Sequence, residues 1–194
     1  QLAIGYSAKW KIPISELKRA MVEVSVKSHQ NAARNEKAHL RNPIDREKAL
    51  CAPYVAYPLS LYDCCGVSDG AAAALVTTVK RAKEIGIAKP VTVKALQTSS
   101  SNGEEYGYDQ WDYDCMPPAA AAAKRAYAEA DIIDPIKELS IAQLHDSFSI
   151  TEIVNYEDLG FSAKGQGWKD ALEGKYNRDG ALPCQTDGGL KCFG

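Results

Sequence analysis

The chain has 194 residues, 45% of them hydrophobic and 25% charged, with 23 lysines and arginines against 25 aspartates and glutamates for a formal charge of -2. That length suits one domain or two small ones with a sizeable core, and the near-neutral balance excludes the cationic footprint of a phosphate-backbone binder, so nucleic acid is not expected as a partner. No stretch approaches the roughly 18 consecutive apolar residues of a membrane span, and the first residues lack the basic segment and apolar run of a secretory signal, so neither feature is expected.

Residues 15 to about 34 are predicted as the first long helix. Leu17, Met21, Val24 and Ser28 recur along one face, Lys18, Glu23 and Lys27 fall outside it, Pro13 marks its start and Ser15 is placed to cap it. Residues 35 to about 58 lose any period and are punctuated by Pro43, Pro53 and Pro58. A loop that long inside a compact domain is usually functional. His29 and His39, on the helix and in this loop, are expected to be solvated.

Residues 61–65 lead through the turn 66–70 into 71–78, a small-residue apolar run suited to a strand buried on both faces. A helix over 79–85 follows, with Gly86 as its stop, and the β-branched content of 91–96 predicts a second strand. Residues 99–113 form a polar loop whose Tyr106, Tyr108, Trp111 and Tyr113 suit an interface or a packed core about equally. Pro117-Pro118 opens an Ala-rich helix to about 130. Residues 136–144 read as a strand ending at His145, and 148–159 as a helix stopped by Gly160. Strands alternating with helices indicate an α/β architecture, and the stretches 71–86 and 91–130 suggest two halves of one duplicated plan.

Chemistry has few candidates. Cys51, Cys64, Cys65, Cys115, Cys184 and Cys192 include no C-x-x-C pair, which predicts reduced thiols and a cytoplasmic protein. Only three histidines are available and none sits beside a cysteine pair, so no metal site is expected. Adjacent Cys64 and Cys65 read more readily as small buried hydrophobes than as nucleophiles. His145-Asp146-Ser147-Phe148 is the most informative element, because it falls where a predicted strand becomes a helix, the place where ligands collect in open α/β sheets. A histidine there can donate to a developing oxyanion. The commoner arrangement at helix starts is packing of His145 against the sheet, with Asp146 or Ser147 capping the helix. The glycine-rich run 187–194 allows close approach of another backbone or a ligand, or simply makes a tight turn.

Four segments in this order resemble the thiolase superfamily, in the branch of sterol-carrier-protein-type thiolases and bacterial and archaeal acetyl-CoA acetyltransferases. They are His29-Gln30-Asn31-Ala32-Ala33 with Asn35-Glu36-Lys37-Ala38; Asp63-Cys64-Cys65-Gly66-Val67-Ser68-Asp69-Gly70-Ala71-Ala72-Ala73; His145-Asp146-Ser147-Phe148-Ser149-Ile150-Thr151-Glu152; and Pro183-Cys184-Gln185-Thr186-Asp187-Gly188-Gly189-Leu190. The resemblance implies two βαβαβαββ halves with an inserted loop domain, here incomplete. Residues 1–88 would be the rear part of the N-terminal half with part of the loop domain, and 89–194 the front part of the C-terminal half.

The resemblance also implies an acyltransferase of lipid metabolism that acts on acetyl-CoA or another acyl-CoA. It would form or cleave a carbon-carbon bond beside the thioester, with coenzyme A thioester as substrate and no permanently bound cofactor. A thiolase-like retro-aldolase and a non-catalytic acyl-CoA-binding subunit are the alternatives. His145 takes the position that helps form the oxyanion hole, while the nucleophilic cysteine and the Gly-His-Pro base would lie outside residues 1–194. The chain opens at Gln1 and stops at Gly194; a fragment, inactive by itself, is the corresponding expectation. Homodimers or homotetramers, and a small zinc-containing OB-fold partner, complete what the family leads one to expect.

Overall fold

The 19-residue helix α2 (Ile14–Ala32) is the axis around which the other elements gather in a computed structural model that describes residues 1–101, 103 and 111–193. Leu17, Ala20, Met21 and Val24 are buried on the stripe marked by the apolar spacing. The burial continues round the helix. Val22 and Val26 pack with Ile44 and Ala49 on another side, and α1 (Leu2–Trp10), α3 (Arg46–Leu50), α7 (Ser149–Asp158), α8 (Gly167–Leu172) and α9 (Gly189–Phe193) all lie against it.

Lys18 and Lys27, expected on the outer face, are therefore buried. A buried ammonium must be paired: Lys18 meets Asp63, and Lys27 meets Glu152 and the Tyr156 hydroxyl. Ser15 does not cap α2, whose N-terminal flank is Pro13 without a side-chain cap. The main core joins α1, α2 and α7 through Tyr6, Leu17, Met21, Ile153 and Val154, and the stacked rings of Tyr156 and Tyr176 lie 3.6 Å apart.

The region 35–58 is less irregular than its sequence suggests. It holds α3, capped by the Asp45 side chain on the Lys48 amide, and β1 (Tyr54–Ala56), which pairs antiparallel with β2 (Leu59–Ser60) in a two-stranded sheet. A 3-10 turn over Leu61–Asp63 follows, held by a capping box between Ser60 and Asp63. The next two helices match expectation: α4 (Val79–Glu84) starts at a Thr78 cap and ends before Gly86 at φ +92°, and α5 (Pro117–Ala130) has proline in its first turn.

The three strands predicted over 71–78, 91–96 and 136–144 do not form. A strand needs a hydrogen-bonded neighbour, and among the described residues none runs beside 71–78 or 91–96, so Leu75, Val76, Val91 and Val93 are exposed. In the third stretch Pro135 starts a short helix, α6 (Pro135–Glu138). All that remains of the strand is a parallel bridge between Ala142 and Cys184. Tyr106 and Tyr108 lie outside the described residues, whereas Trp111 and Tyr113 pack together with ring centroids 4.5 Å apart, and Tyr113 lies against Gly5 of α1.

Candidate functional site

His145 sits on the surface between the Ala142 bridge and the start of α7. Its backbone is fixed by three consecutive anchors. The Gln185 side chain pairs with Leu144 as a strand would, its Nε2 donating to Leu144 O and its Oε1 accepting from Leu144 N, both at 2.8 Å. Asn155 Nδ2 donates to His145 O at 2.9 Å. Asp146 is buried, and its Oδ1 accepts from Leu190 N at 2.7 Å.

Asp146 thus does not cap the helix, and neither does Ser147: α7 begins at Ser149 after Phe148, with no side-chain cap. The carboxylate goes instead to the glycine-rich segment. Close approach there is possible because Gly189 has φ +62° and carries no Cβ, which would collide with Asp146 Oδ2 and lie 2.7 Å from Gln185 Nε2. Gly189 opens α9, a helix where the sequence suggested a close approach or a tight turn.

The other segments singled out in the sequence converge on this point. Asn31 and Asn35, at and beyond the end of α2, donate to Gln185 O at 2.9 Å and Asp187 O at 3.0 Å. Cys64 bridges to Phe148, and Cys65 N donates to Ser147 O at 2.8 Å. His39 N and Leu40 N both donate to Cys192 O at 2.9 Å, so the loop after α2 closes over α9. His39 is exposed as expected, but His29 is buried against the edge of Tyr62, and burial lowers its pKa.

Beneath His145 lies a buried charged layer that sequence reasoning missed. Lys191 is almost wholly buried and donates through Nζ to Asp63 O at 3.0 Å. Desolvation lowers its pKa, against the pull of the Asp146, Glu152 and Asp63 carboxylates. Burial, then the nearby Glu152 charge, pushes Asp146 up to about 6. Glu152 holds Lys27, while its Oε2 has no hydrogen-bond partner among the described residues. A buried lysine at 27 or 191 could have been suspected only from a partner carboxylate, and Glu152 stands 125 residues from Lys27.

The thiols here are poor nucleophiles. Burial pushes both Cys184 and Cys192 up to about 12 and raises Cys64 as well, so each is held protonated. All six cysteines are free. Among the described residues no group of three or more His, Cys, Asp or Glu side chains is placed to hold a metal ion, and no helix is long and apolar enough to cross a membrane. What the site offers is an exposed imidazole on a rigid turn beside a glycine turn, an arrangement suited to donating a hydrogen bond to a ligand oxygen.

Residues 102–194 match the family described as thiolase C-terminal domain-like. An acetyl-CoA acetyltransferase of Methanothermobacter thermautotrophicus is 34% identical over 88% of the chain and 43% of its own length. The 17-hydroxy-3-oxo-4-pregnene-20-carboxyl-CoA lyase of Mycobacterium tuberculosis is 31% identical over 86% of the chain and 43% of its own. Among solved structures, one described as the Ltp2-ChsH2(DUF35) aldolase superposes with a TM-score of 0.77 at 25% identity, over 97% of the chain and 48% of its own. The chain thus spans less than half the length of these relatives.

Proposed function

We infer function from one premise, that the chain belongs to the thiolase superfamily: it supplies the oxyanion side of an acyl-CoA acyltransferase site. The observation that carries this reading is the triple anchoring of Leu144, His145 and Asp146, which leaves the His145 imidazole exposed where the four segments meet. In thiolysis, a 3-oxoacyl-CoA and free CoA give two acyl-CoA products; condensation is the reverse. In the carbon-carbon step, negative charge develops on the CoA-thioester oxygen as the enolate forms. His145 donates an N–H to that oxygen, and rigidity matters because an oxyanion donor contributes only where charge appears. The substrate is an acyl-CoA, acetyl-CoA being the simplest, and no permanently bound cofactor is needed.

A second reading draws on the lyase relative and the aldolase neighbour. There the same donor would stabilise the enolate released when a 3-hydroxyacyl-CoA splits into a carbonyl compound and a shorter acyl-CoA. The neighbour's description names a second component, DUF35, which supports a small partner protein for this chain too. Self-association into dimers or tetramers belongs to the same proposal. The halves are assigned as 1–88 and 89–194, within a fold of two βαβαβαββ units, and the family match at 102–194 falls inside the second. Six free thiols support a reducing compartment, the cytoplasm.

The test is steady-state kinetics on the protein at the length its gene encodes, with acetyl-CoA, with acetoacetyl-CoA plus CoA, and with a 3-hydroxyacyl-CoA. His145→Ala is expected to lower kcat/KM by about 10²- to 10³-fold in a folded protein, and His145→Asn by less because an amide still donates. Full activity in the alanine variant removes His145 from the chemistry. Turnover of the 3-hydroxyacyl-CoA alone selects the second reading.

A further inference from the structure

We propose that Asp146 is a positioning residue, which sets the distance between His145 and the glycine turn that opens α9, with Lys191 as the buried cation that holds that turn down. The functional consequence rests on the acyl-CoA reading above; the geometry does not. Asp146 has no exposure, and its Oδ1 takes the Leu190 amide at 2.7 Å while its Oδ2 lies 3.5 Å from the Lys191 amide. Both amides belong to the first turn of α9, where no carbonyl of the helix itself can accept them.

Three features make this contact more than a stray polar pair. Gly189 permits it both by its positive φ and by its missing Cβ, so the approach is built into two residues 43 positions apart in the chain. The adjacent tether, Gln185 to Leu144, repeats the link two residues earlier from the same segment. Lys191 then ties α9 to the Asp63 carbonyl, immediately before Cys64-Cys65. Anything presented by the α9 turn is therefore held at a fixed separation from the imidazole, and misplacement of a reacting group by about 1 Å can cost on the order of 10²-fold in rate.

The groups facing Asp146 are Lys191 and Cys192 on α9 and Glu152 on α7, with Lys27 of α2 paired behind Glu152 and with Asp63 and Cys64 beyond Lys191. Burial already pushes the Asp146 carboxyl up to about 6. Above that pH the ionised group accepts from both amides. Below it, the added proton weakens the acceptor and the clamp loosens.

Two measurements test the proposal. In the unsubstituted 194-residue chain, the Leu190 and Lys191 amide resonances should titrate together between pH 5 and 7.5 with a midpoint near 6, and Asp146→Asn should abolish that titration. In the active enzyme, Asp146→Asn should lower kcat about 10²-fold, leave KM for the acyl-CoA within about threefold, and flatten the acidic limb of the pH profile. Amides that stay flat across that range in the unsubstituted chain overturn the proposal, even if the variant fails to fold. So does a folded variant with unchanged kcat, or one whose kcat and KM shift together. Absence of acyl-CoA turnover in the unsubstituted enzyme defeats the functional reading and leaves the amide titration standing.

Discussion

His29 shows how far a residue's surroundings can depart from its sequence context. Placed among Lys27, Ser28 and Gln30 it reads as solvated, yet the ring is buried edge-on to Tyr62 with Nδ1 3.2 Å from Asn42 O. A carbonyl can only accept, so Nδ1 carries a proton. Desolvation, reinforced by the Lys191 and Lys48 charges, lowers its pKa in the fold. The unfolded chain then binds a proton near pH 6.5 that the folded chain refuses, so this residue's contribution to stability is present above that pH and is lost as pH falls below it. Urea midpoints of the protein and of His29→Gln, followed from pH 7.5 to 5, should therefore converge as the pH drops, the other titrating groups cancelling in the difference. Parallel curves would place His29 in contact with water. The same lesson applies to Lys18 and Lys27: a lysine in a helical pattern is normally a solvated face, and the carboxylates that admit these two indoors are far away in sequence.

Helices were legible where their ends carry local chemistry: Gly86 after α4, Pro117 opening α5, and Gly160 at φ +73° beyond α7. Strands were not, because a ladder needs a partner that composition cannot supply, and α9 was hidden by glycines that ordinarily disfavour a helix. Its start is fixed from a distance, by Asp146, which is why 187–194 read as a turn. The candidate site divides the same way. His145 was legible because it ends one element and precedes another, whereas Gln185, at φ +53°, stands in the fourth resembling segment with nothing local to point to its tether 41 residues away. Its side chain replaces a missing strand pair, and Gln185→Ala should strip both backbone groups of Leu144 of their partners. Leaving two such groups unsatisfied costs about 1–3 kcal/mol each, with water offsetting part of it because Leu144 is only half-buried. Hydrogen exchange should accelerate at the Leu144 amide while the amides of α2 keep their protection. An unchanged Leu144 rate would mean that the side-chain pairing does not hold this turn.

At the scale of the molecule the contrast is between a dense helical body and the stretch from Val67 to Leu96. Around α2 the side chains are close-packed, but Val67, Leu75, Val76, Val91, Val93 and Leu96 stand open to solvent, with Val67 and Val91 as exposed as free residues. Their β-branched content favours strand pairing, and no described segment offers them a ladder. A row of unpaired backbone groups flanked by apolar side chains is a template for another edge, and exposed apolar surface adds about 25 cal/mol per Å² once covered. The 194-residue chain should accordingly self-associate as its concentration rises, through these stretches rather than through the helical body. Light scattering should show an average mass that climbs with concentration, and the double substitution Val76→Lys and Val93→Lys, on residues that support no core contact, should return it towards 21.0 kDa without lowering the thermal midpoint. Electrostatic repulsion between added lysines opposes edge-to-edge pairing directly. A mass that already equals one chain at high concentration would show that the stretch is covered by its own molecule, and a double variant that still associates would move the contact to the helices.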